Sequence, residues 1–198
     1  MEPDLLRRLI ERSAATIAEH AEELTTLDQA IGDGDHGINM KRGFDALAAA
    51  AEEIAALPLD QALQKAGMTL VMTVGGASGP LYGSLLMGMG KGAGGGAAAL
   101  LAEGVAAVKK RGKSEAGEKT MLDVLVPVLE AIGSAEGTEA IAAARAAADA
   151  GLAATKDMQA TKGRASFLGE RSVGHLDPGA RSSALLVHCV CDELEGVA

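Results

Sequence analysis

The 198-residue sequence predicts an all-α fold of eight helices. Apolar residues recur in steps of three and four along most of the chain, which is the spacing of one helix face. No stretch alternates β-branched and polar residues with a period of two, so no sheet is expected. Hydrophobic residues make up 48% and charged ones 23%, which is typical of a globular chain, and one domain over residues 1–198 is expected.

Four helices are predicted in the first half of the chain, each from an apolar stripe and a start or stop residue. They cover Leu6 to near Asp28, Phe44 to Pro58, Asp60 through Leu70, and the segment from about Pro80 up to the stretch KGAGGGAAA. Consecutive glycines lose too much chain entropy in a helix, so that stretch is predicted to be a flexible connector.

Four more helices are predicted in the second half. They are Ala98–Lys110, Lys119–Ile132, Thr138–Lys156 and a last one that begins at Asp177-Pro178, an N-cap followed by proline. Pro127 is predicted to kink the second of these, because the apolar spacing continues through it. The polar segment from Met158 to His175 is long and rich in glycine, which favours a functional loop.

Composition and charge exclude several classes of protein. The net charge is −9, aromatic residues make up 2% and tryptophan is absent, which argues against binding of nucleic acid. No apolar run approaches the roughly 20 residues of a membrane helix, and the charged N-terminus lacks a secretory signal, so no membrane partner and a cytoplasmic location are expected. Cys189 and Cys191 are predicted to be buried, reduced thiols.

Three aspartates, Asp28, Asp33 and Asp35, lie in or just before the stretch IGDGDHGINM. Its glycines favour a tight turn in which the carboxylates can converge, and converging carboxylates need a cation. Hard oxygen ligands select magnesium or calcium, and the calcium-binding EF-hand pattern fails because Gly37 stands at a ligand position. Magnesium between carboxylates and phosphates fits better. The alternative is that the aspartates only decorate a solvated turn between helices.

The stretch GGASGP, with Ser78 and Pro80 placed for capping, favours an anion site at a helix start. It matches neither a Walker A loop nor a hydrolase nucleophile elbow, and an ordinary interhelical turn remains the alternative. His36 lies beside the acids, where it can donate to a phosphate oxygen. Two basic stretches, RGKSEAGEKTMLD and KGRASFLGERSVGHLDPG, are typical of solvated faces singly but together favour a metal-nucleotide pocket at one end of a helical bundle.

Four motifs together resemble the nucleotide-binding L subunit or domain of the dihydroxyacetone kinases. They are IGDGDHGINMKRGF, GMTLVMTVGGASGPLYG, RGKSEAGEKTMLDVLVPV and KGRASFLGERSVGHLDPGA, in the family's order and over nearly the whole chain. The resemblance implies an eight-helix antiparallel barrel whose loops at one end hold ADP or ATP through two magnesium ions. The stretch Gly88 to Gly104 departs from the family and is expected to be a variable loop.

The resemblance also implies site residues, which fall into a metal group and a nucleotide group. The metal ligands would be Asp28, Asp33 and Asp35. The nucleotide contacts would be His36, Gly37, Ile38 and Asn39 at the phosphates, Ala77 and Ser78 at the phosphate and ribose side, Gly112 and Met121 near the adenosine, and Asp177 with Pro178 closing the site. His36 and Arg164 are the predicted catalytic residues, with Arg164 facing the transferred phosphoryl group.

Two arrangements occur in kinases of this type. ATP can be consumed by a chain fused to the sugar-binding domain, or ADP can stay bound and be recharged by a phosphohistidine carrier, the M subunit, for transfer to dihydroxyacetone on a K subunit. A free-standing chain of this length resembles the second arrangement. The alternatives are an ATP-consuming kinase subunit for another short keto sugar and a non-catalytic magnesium-nucleotide regulatory module, and a homodimer is left open.

Overall fold

A computed structural model describes residues 1–196 as helices joined by turns, without a strand in that range. This confirms the predicted all-α class. Two 3-10 segments, Thr155–Asp157 and Arg164–Ser172, lie between the last two of the α-helices. The α-helices within residues 1–196 are α1 (Pro3–Glu19), α2 (Ala21–Ile31), α3 (His36–Ala49), α4 (Ala51–Ala55), α5 (Leu59–Thr73), α6 (Ser78–Lys91), α7 (Gly96–Gly112), α8 (Leu122–Gly133), α9 (Gly137–Ala154) and α10 (Pro178–Glu195).

Eight of these helices form a closed ring in chain order. α1 packs against α3, α3 against α5, each helix from α5 to α10 against the next, and α10 packs back against α1. The remaining two are short continuations, α2 beyond α1 and α4 beyond α3. Apolar side chains from α1 to α8 and α10 fill one cluster, and α8, α9 and α10 share a second. The predicted eight-helix barrel is therefore confirmed.

Two of the predicted helices are each broken once, which the apolar spacing did not reveal. His20 (φ −97°, ψ 8°) separates α1 from α2, and Ala50 (φ −103°, ψ 7°) separates α3 from α4. The His20 imidazole stays close to α2 through a 2.7 Å contact between its Nδ1 and Glu23 Oε2. A single non-helical residue shifts the apolar stripe only slightly, so both sides of the break still face the core.

The glycine-rich middle of the chain is not the variable loop expected over Gly88 to Gly104. α6 continues to Lys91 and α7 begins at Gly96, which leaves only residues 92–95 as a turn. A Cβ on Gly88 would lie 2.6 Å from the backbone oxygen of Glu103, and one on Gly104 would lie 3.0 Å from that of Leu85. The glycines thus let the α6 and α7 backbones approach closely, and this packing outweighs a helix cost of about 1 kcal/mol per glycine.

The second half of the chain follows the predicted pattern with shifted boundaries. α8 begins at Leu122 and not at Lys119, whose φ of +62° is incompatible with an α-helix, and it runs through Pro127 as predicted. The predicted start of the last helix is confirmed, because Asp177 caps α10 by accepting the N–H of Ala180 at 2.7 Å. Cys189 and Cys191 are buried and free, also as predicted.

Four connections of the ring, including its two longest, lie at one end, which we call the mouth. They are residues 32–35, 74–77, 113–121 and 155–177, and they alternate in the chain with the short turns of the opposite end. The segment 158–175 was expected to be an open loop, but Arg164–Ser172 forms a 3-10 segment within it. Within residues 1–196, none of the helices combines the length and apolar character needed to cross a bilayer.

Candidate functional site

A cleft of about 780 Å³ opens at the mouth of the ring. All four mouth connections contribute to its walls, together with the first turns of α3, α6 and α10. Of the residues predicted for the site, those that line the cleft are Asp28, Asp33, Asp35, His36, Ala77, Ser78, Gly112, Met121, Arg164, Asp177 and Pro178. The ring therefore brings together residues that are up to 150 positions apart in the sequence, as 28 and 178 are.

The aspartate trio, Asp28, Asp33 and Asp35, converges at one side of this cleft. One carboxylate oxygen of each lies within 4.8 Å of the other two. Asp28 comes from the last turn of α2, and Gly34, with a φ of +75°, lets the chain turn back so that the other two face it. A left-handed φ is readily adopted by glycine, which has no Cβ.

Asp28 also organises this turn. It is buried, and its Oδ2 accepts the backbone N–H groups of Asp35 at 2.9 Å and of His36 at 3.1 Å. Asp33 and Asp35 are exposed and leave oxygens toward the cleft. Three oxygen donors this close repel one another without a cation, and an all-oxygen set suits magnesium or calcium. The donor set thus fits the magnesium site predicted from the sequence.

Arg164 provides positive charge next to the aspartate trio. Its Nε lies 2.9 Å from Asp33 Oδ2, and its side chain is 70% exposed. The guanidinium is therefore free to turn toward an anion in the cleft, because an exposed ion pair is held by little free energy, about 0–1 kcal/mol. Arg111 also lines the cleft, a position that the sequence analysis did not single out.

His36 is buried at the base of the cleft within a chain of hydroxyl groups. Its Nδ1 lies 3.0 Å from Ser78 Oγ and its Nε2 lies 2.9 Å from Ser182 Oγ. Tyr82 Oη extends the chain, 2.7 Å from Ser182 Oγ and 2.9 Å from Ser183 Oγ. Burial lowers the pKa of His36 despite the nearby aspartates, so the imidazole is neutral near pH 7. Both ring nitrogens are engaged by serines, so the imidazole holds Ser78 in place at the cleft.

Three predicted phosphate contacts lie beyond the cleft lining. Gly37 packs against α2, where a Cβ would lie 1.9 Å from the backbone oxygen of Ala21. The side chain of Asn39 is buried and accepts a 2.8 Å hydrogen bond from Arg42. Ile38 is 61% exposed on the outer face of α3. None of the three is therefore part of the cleft lining, although the Asn39 side chain packs beside Gly75 and Gly76, and Gly76 does line the cleft.

The other wall of the cleft is largely apolar. Met121 and Gly112, which were predicted near the adenosine, line it next to Leu81 and Val108. Ser114 is buried among them and supplies a hydroxyl group. A flat apolar ring system with a few polar edges would match such a wall.

Asp177 lines the cleft at the start of α10. Burial raises its pKa to about 7, although the N–H of Ala180, which its carboxylate accepts, acts in the opposite direction. The backbone N–H of Asp177 donates to Thr155 Oγ1 at 3.2 Å, which ties the helix start to the end of α9. Asp177 is thus a structural cap at the edge of the cleft, next to Pro178 and Gly179 in its lining.

Lys119 is the most buried cation of the described residues and was missed as such by the sequence analysis. Its side chain is 1% exposed, and its Nζ donates to the backbone oxygens of Thr155, Met158 and His175. Burial lowers the pKa of Lys119, while nearby carboxylates, Asp177 first, act in the opposite direction. No local pattern distinguishes it from the exposed lysines around it, because its acceptors lie 36 to 56 positions further along the chain.

An all-helical ring with converging carboxylates and helix starts at one mouth has the donor groups that suit a metal ion and an anion. Residues 30–192 match the DAK2 domain, and the chain belongs to this family. It is 49% identical over 180 residues to the ADP-binding subunit DhaL of PEP-dependent dihydroxyacetone kinase 1 from Listeria innocua, covering 88% of each chain. It is 42% identical over 183 residues to the corresponding DhaL subunit from Escherichia coli, covering 86% and 87%.

Among solved structures, the chain is similar to the dihydroxyacetone kinase of C. freundii in complex with AMP-PNP and Mg²⁺. The TM-score is 0.77 and the identity 26%, over 96% of this chain and 34% of that longer one. The resemblance inferred from the four motifs is therefore confirmed at the level of family and fold.

Proposed function

We propose that this chain is the ADP-binding subunit of a dihydroxyacetone kinase. Bound nucleotide would relay a phosphoryl group from a phosphohistidine carrier, the M subunit, to dihydroxyacetone on a separate K subunit. The observation that carries the proposal is the convergence of the aspartate trio, the Ser78 helix start and Arg164 on one cleft. The relatives named as ADP-binding subunits of PEP-dependent kinases support it.

The proposal treats residues 1–198 as one nucleotide-binding domain. Asp28, Asp33 and Asp35 would hold two magnesium ions, and the starts of α3 and α6 would supply backbone N–H groups for the phosphates. Ala77 with Ser78 would lie at the phosphate and ribose side. The apolar wall with Gly112 and Met121 would receive the adenosine, and Asp177 with Pro178 would close that side.

Magnesium and ADP, when bound, would supply the phosphoryl acceptor and neutralise its charge. The protein's own contribution is position and electrostatics, because phosphoryl transfer needs little covalent chemistry from side chains. Asp28 fixes the turn that carries the other two carboxylates, and neutral His36 orients the Ser78 hydroxyl. Arg164 would leave Asp33 and stabilise the negative charge of the group in transit.

The proposal is tested by what the purified protein holds and what it transfers. Mass spectrometry of nucleotide released by denaturation after dialysis should find about one ADP per chain. Incubation with a phosphorylated carrier should convert that ADP to ATP. A protein that carries no nucleotide and turns over only free ATP would support an ATP-consuming kinase instead.

Arg164→Ala separates transfer from binding. We expect nucleotide to be retained while the transfer rate falls by about a hundredfold or more, since removing one charge-stabilising donor costs on that order. The matched control is Arg171→Ala, an exposed arginine of the same segment that does not line the cleft, which should leave the rate unchanged. A normal rate in Arg164→Ala would refute the assigned role.

A further inference from the structure

Lys119 is a buried cation to which the proposed function assigns no role. Its ammonium group has three N–H donors, and all three are used: Thr155 O lies at 2.7 Å, Met158 O at 3.1 Å and His175 O at 2.6 Å. No donor remains for a nucleotide, although the residue lines the cleft. Since its donors are all used by backbone oxygens, this buried charge points to a role in holding the protein's own loops.

The three acceptors lie at the two ends of the segment that carries Arg164. Thr155 and Met158 lead into the segment 158–175, and His175 ends it. The N–H of Gly174 also donates to the backbone oxygen of Lys156 at 2.7 Å, so the backbone joins the same two ends. Lys119 therefore closes the base of this segment, as a crosslink between its two ends would.

The loop 113–121 is shaped to present Lys119 in this way. The Asp123 carboxylate, at the start of α8, accepts the backbone N–H groups of Gly117 and Thr120 and so holds the loop between them. Lys119 itself has a left-handed φ of +62°, which is unfavourable for a residue with a side chain. Non-glycine residues are kept in this conformation where the surrounding contacts require it.

A second lysine joins the same two loops at the rim of the cleft. Lys162 Nζ donates to the backbone oxygen of Lys113 at 2.6 Å and lies 3.5 Å from Glu118 Oε1. Its side chain is 35% exposed, so water can replace these contacts. The two lysines thus make comparable contacts. Lys119 is shielded from water at the base of the segment, whereas Lys162 is accessible to water at its rim.

We infer that Lys119 is a positioning residue for phosphoryl transfer, which binds both ends of the 158–175 segment and so places Arg164 beside Asp33. The inference rests on the proposed role of Arg164 and adds the means by which that side chain is held over the aspartate trio. Arg164 lies six residues from Met158 and eleven from His175, so a loosened base moves it relative to a reacting group. Displacements of about 1 Å can cost a hundredfold in rate.

The test compares Lys119→Met, which keeps the length of the side chain, with Lys156→Met as the matched control, an exposed lysine at the same base that does not line the cleft. In the complete assay with carrier and K subunit, Lys119→Met should lower the transfer rate at saturating nucleotide by about tenfold or more. Lys156→Met should stay within about twofold of wild type, because its exposed side chain does not reach the cleft. Hydrogen exchange should accelerate across 158–175 in Lys119→Met and stay unchanged in α5 and α6. A wild-type rate in Lys119→Met would overturn the inference.

A double variant distinguishes positioning from a general loss of stability. If Lys119 acts through Arg164, then Lys119→Met combined with Arg164→Ala should transfer no more than about twofold slower than Arg164→Ala alone. Independent effects would multiply and would overturn the inference. A normal rate in Arg164→Ala alone would instead refute the proposed role of Arg164, whatever Lys119 does.

A milder variant loosens the same joint if Lys119→Met does not fold. Lys119→Gln removes the charge but keeps N–H donors on a shorter side chain, so part of the contact with the backbone oxygens of Thr155, Met158 and His175 can remain. It should lower the transfer rate several-fold, with faster exchange confined to 158–175. Wild-type rate and exchange in Lys119→Gln would count against the inference.

Discussion

The two ends of the helical ring differ in how many polar side chains they bury. Among the described residues, every buried polar or charged side chain apart from Glu193 lies at the mouth. At the opposite end, buried Glu193 is paired with two partly exposed arginines, Arg8 at 3.1 Å and Arg12 at 2.8 Å. Burying polar groups costs free energy unless they are paired, so a protein retains them where chemistry requires them. The buried polar groups therefore mark the mouth as the functional end, whereas the contacts at the opposite end stabilise the ring.

The largest effect is expected from the aspartate trio. Asp33→Asn removes a ligand charge at the mouth and should release magnesium and nucleotide. The loss of a ligand present at a hundredfold excess over its Kd removes about 2.7 kcal/mol from the free energy of unfolding, so the Tm with nucleotide should fall to that without it. Calorimetric titration and thermal unfolding measure both. Asp60→Asn, an exposed aspartate at the opposite end, should change neither, and unaltered binding in Asp33→Asn would contradict the metal site.

A stability effect without a binding effect is expected at the opposite end. Gly88→Ala places a Cβ against the backbone of α7 and should lower the free energy of unfolding by about 1–3 kcal/mol, the usual cost of overpacking. Denaturant titration measures this change, and the nucleotide Kd should stay the same. Gly94→Ala is the control, since no atom lies within 4 Å of a Cβ there. A weaker nucleotide affinity in Gly88→Ala would show that the two ends are coupled.

The smallest expected effect is a change of the free energy of unfolding with pH. Because burial raises the pKa of Asp177 to about 7, the folded state holds its proton while the unfolded chain, with a pKa near 4, has lost it. The stronger proton binding in the folded state adds to the free energy of unfolding. This added stability is fully present below about pH 4 and is lost as the pH rises to about 7, and the free energy of unfolding falls by at most about 1.4 kcal/mol per pH unit. Asp177→Asn keeps a good helix cap and should remove this slope. The same pH dependence in the variant would assign it to another group.

Features that depend on residues close together in the sequence could be predicted, whereas features that depend on distant residues could not. The aspartate trio could be predicted because its turn, its glycines and its carboxylates all lie within eight residues of one another. The break at His20 could not, since one residue barely disturbs an apolar stripe. Lys119 was missed for a different reason, because its burial depends on carbonyl groups that only the closed ring brings to it.

The glycines of α6 and α7 show a further limit. Glycine lowers helix propensity locally, which made Gly88 to Gly104 look like a loop, yet the same residues permit the close contact that makes both segments helical. Propensity acts residue by residue, whereas packing acts between helices. Where the two disagree, packing decides.

The closure of the ring by α10 on α1 has a practical consequence for assays. Arg8 and Glu193 meet at the end opposite the cleft, so α1 starts and α10 finishes on the same side of the molecule. A tag or surface linker attached at either terminus would leave the cleft facing outward. Immobilised protein could then be probed with soluble nucleotides and with the proposed partners without the attachment blocking their approach.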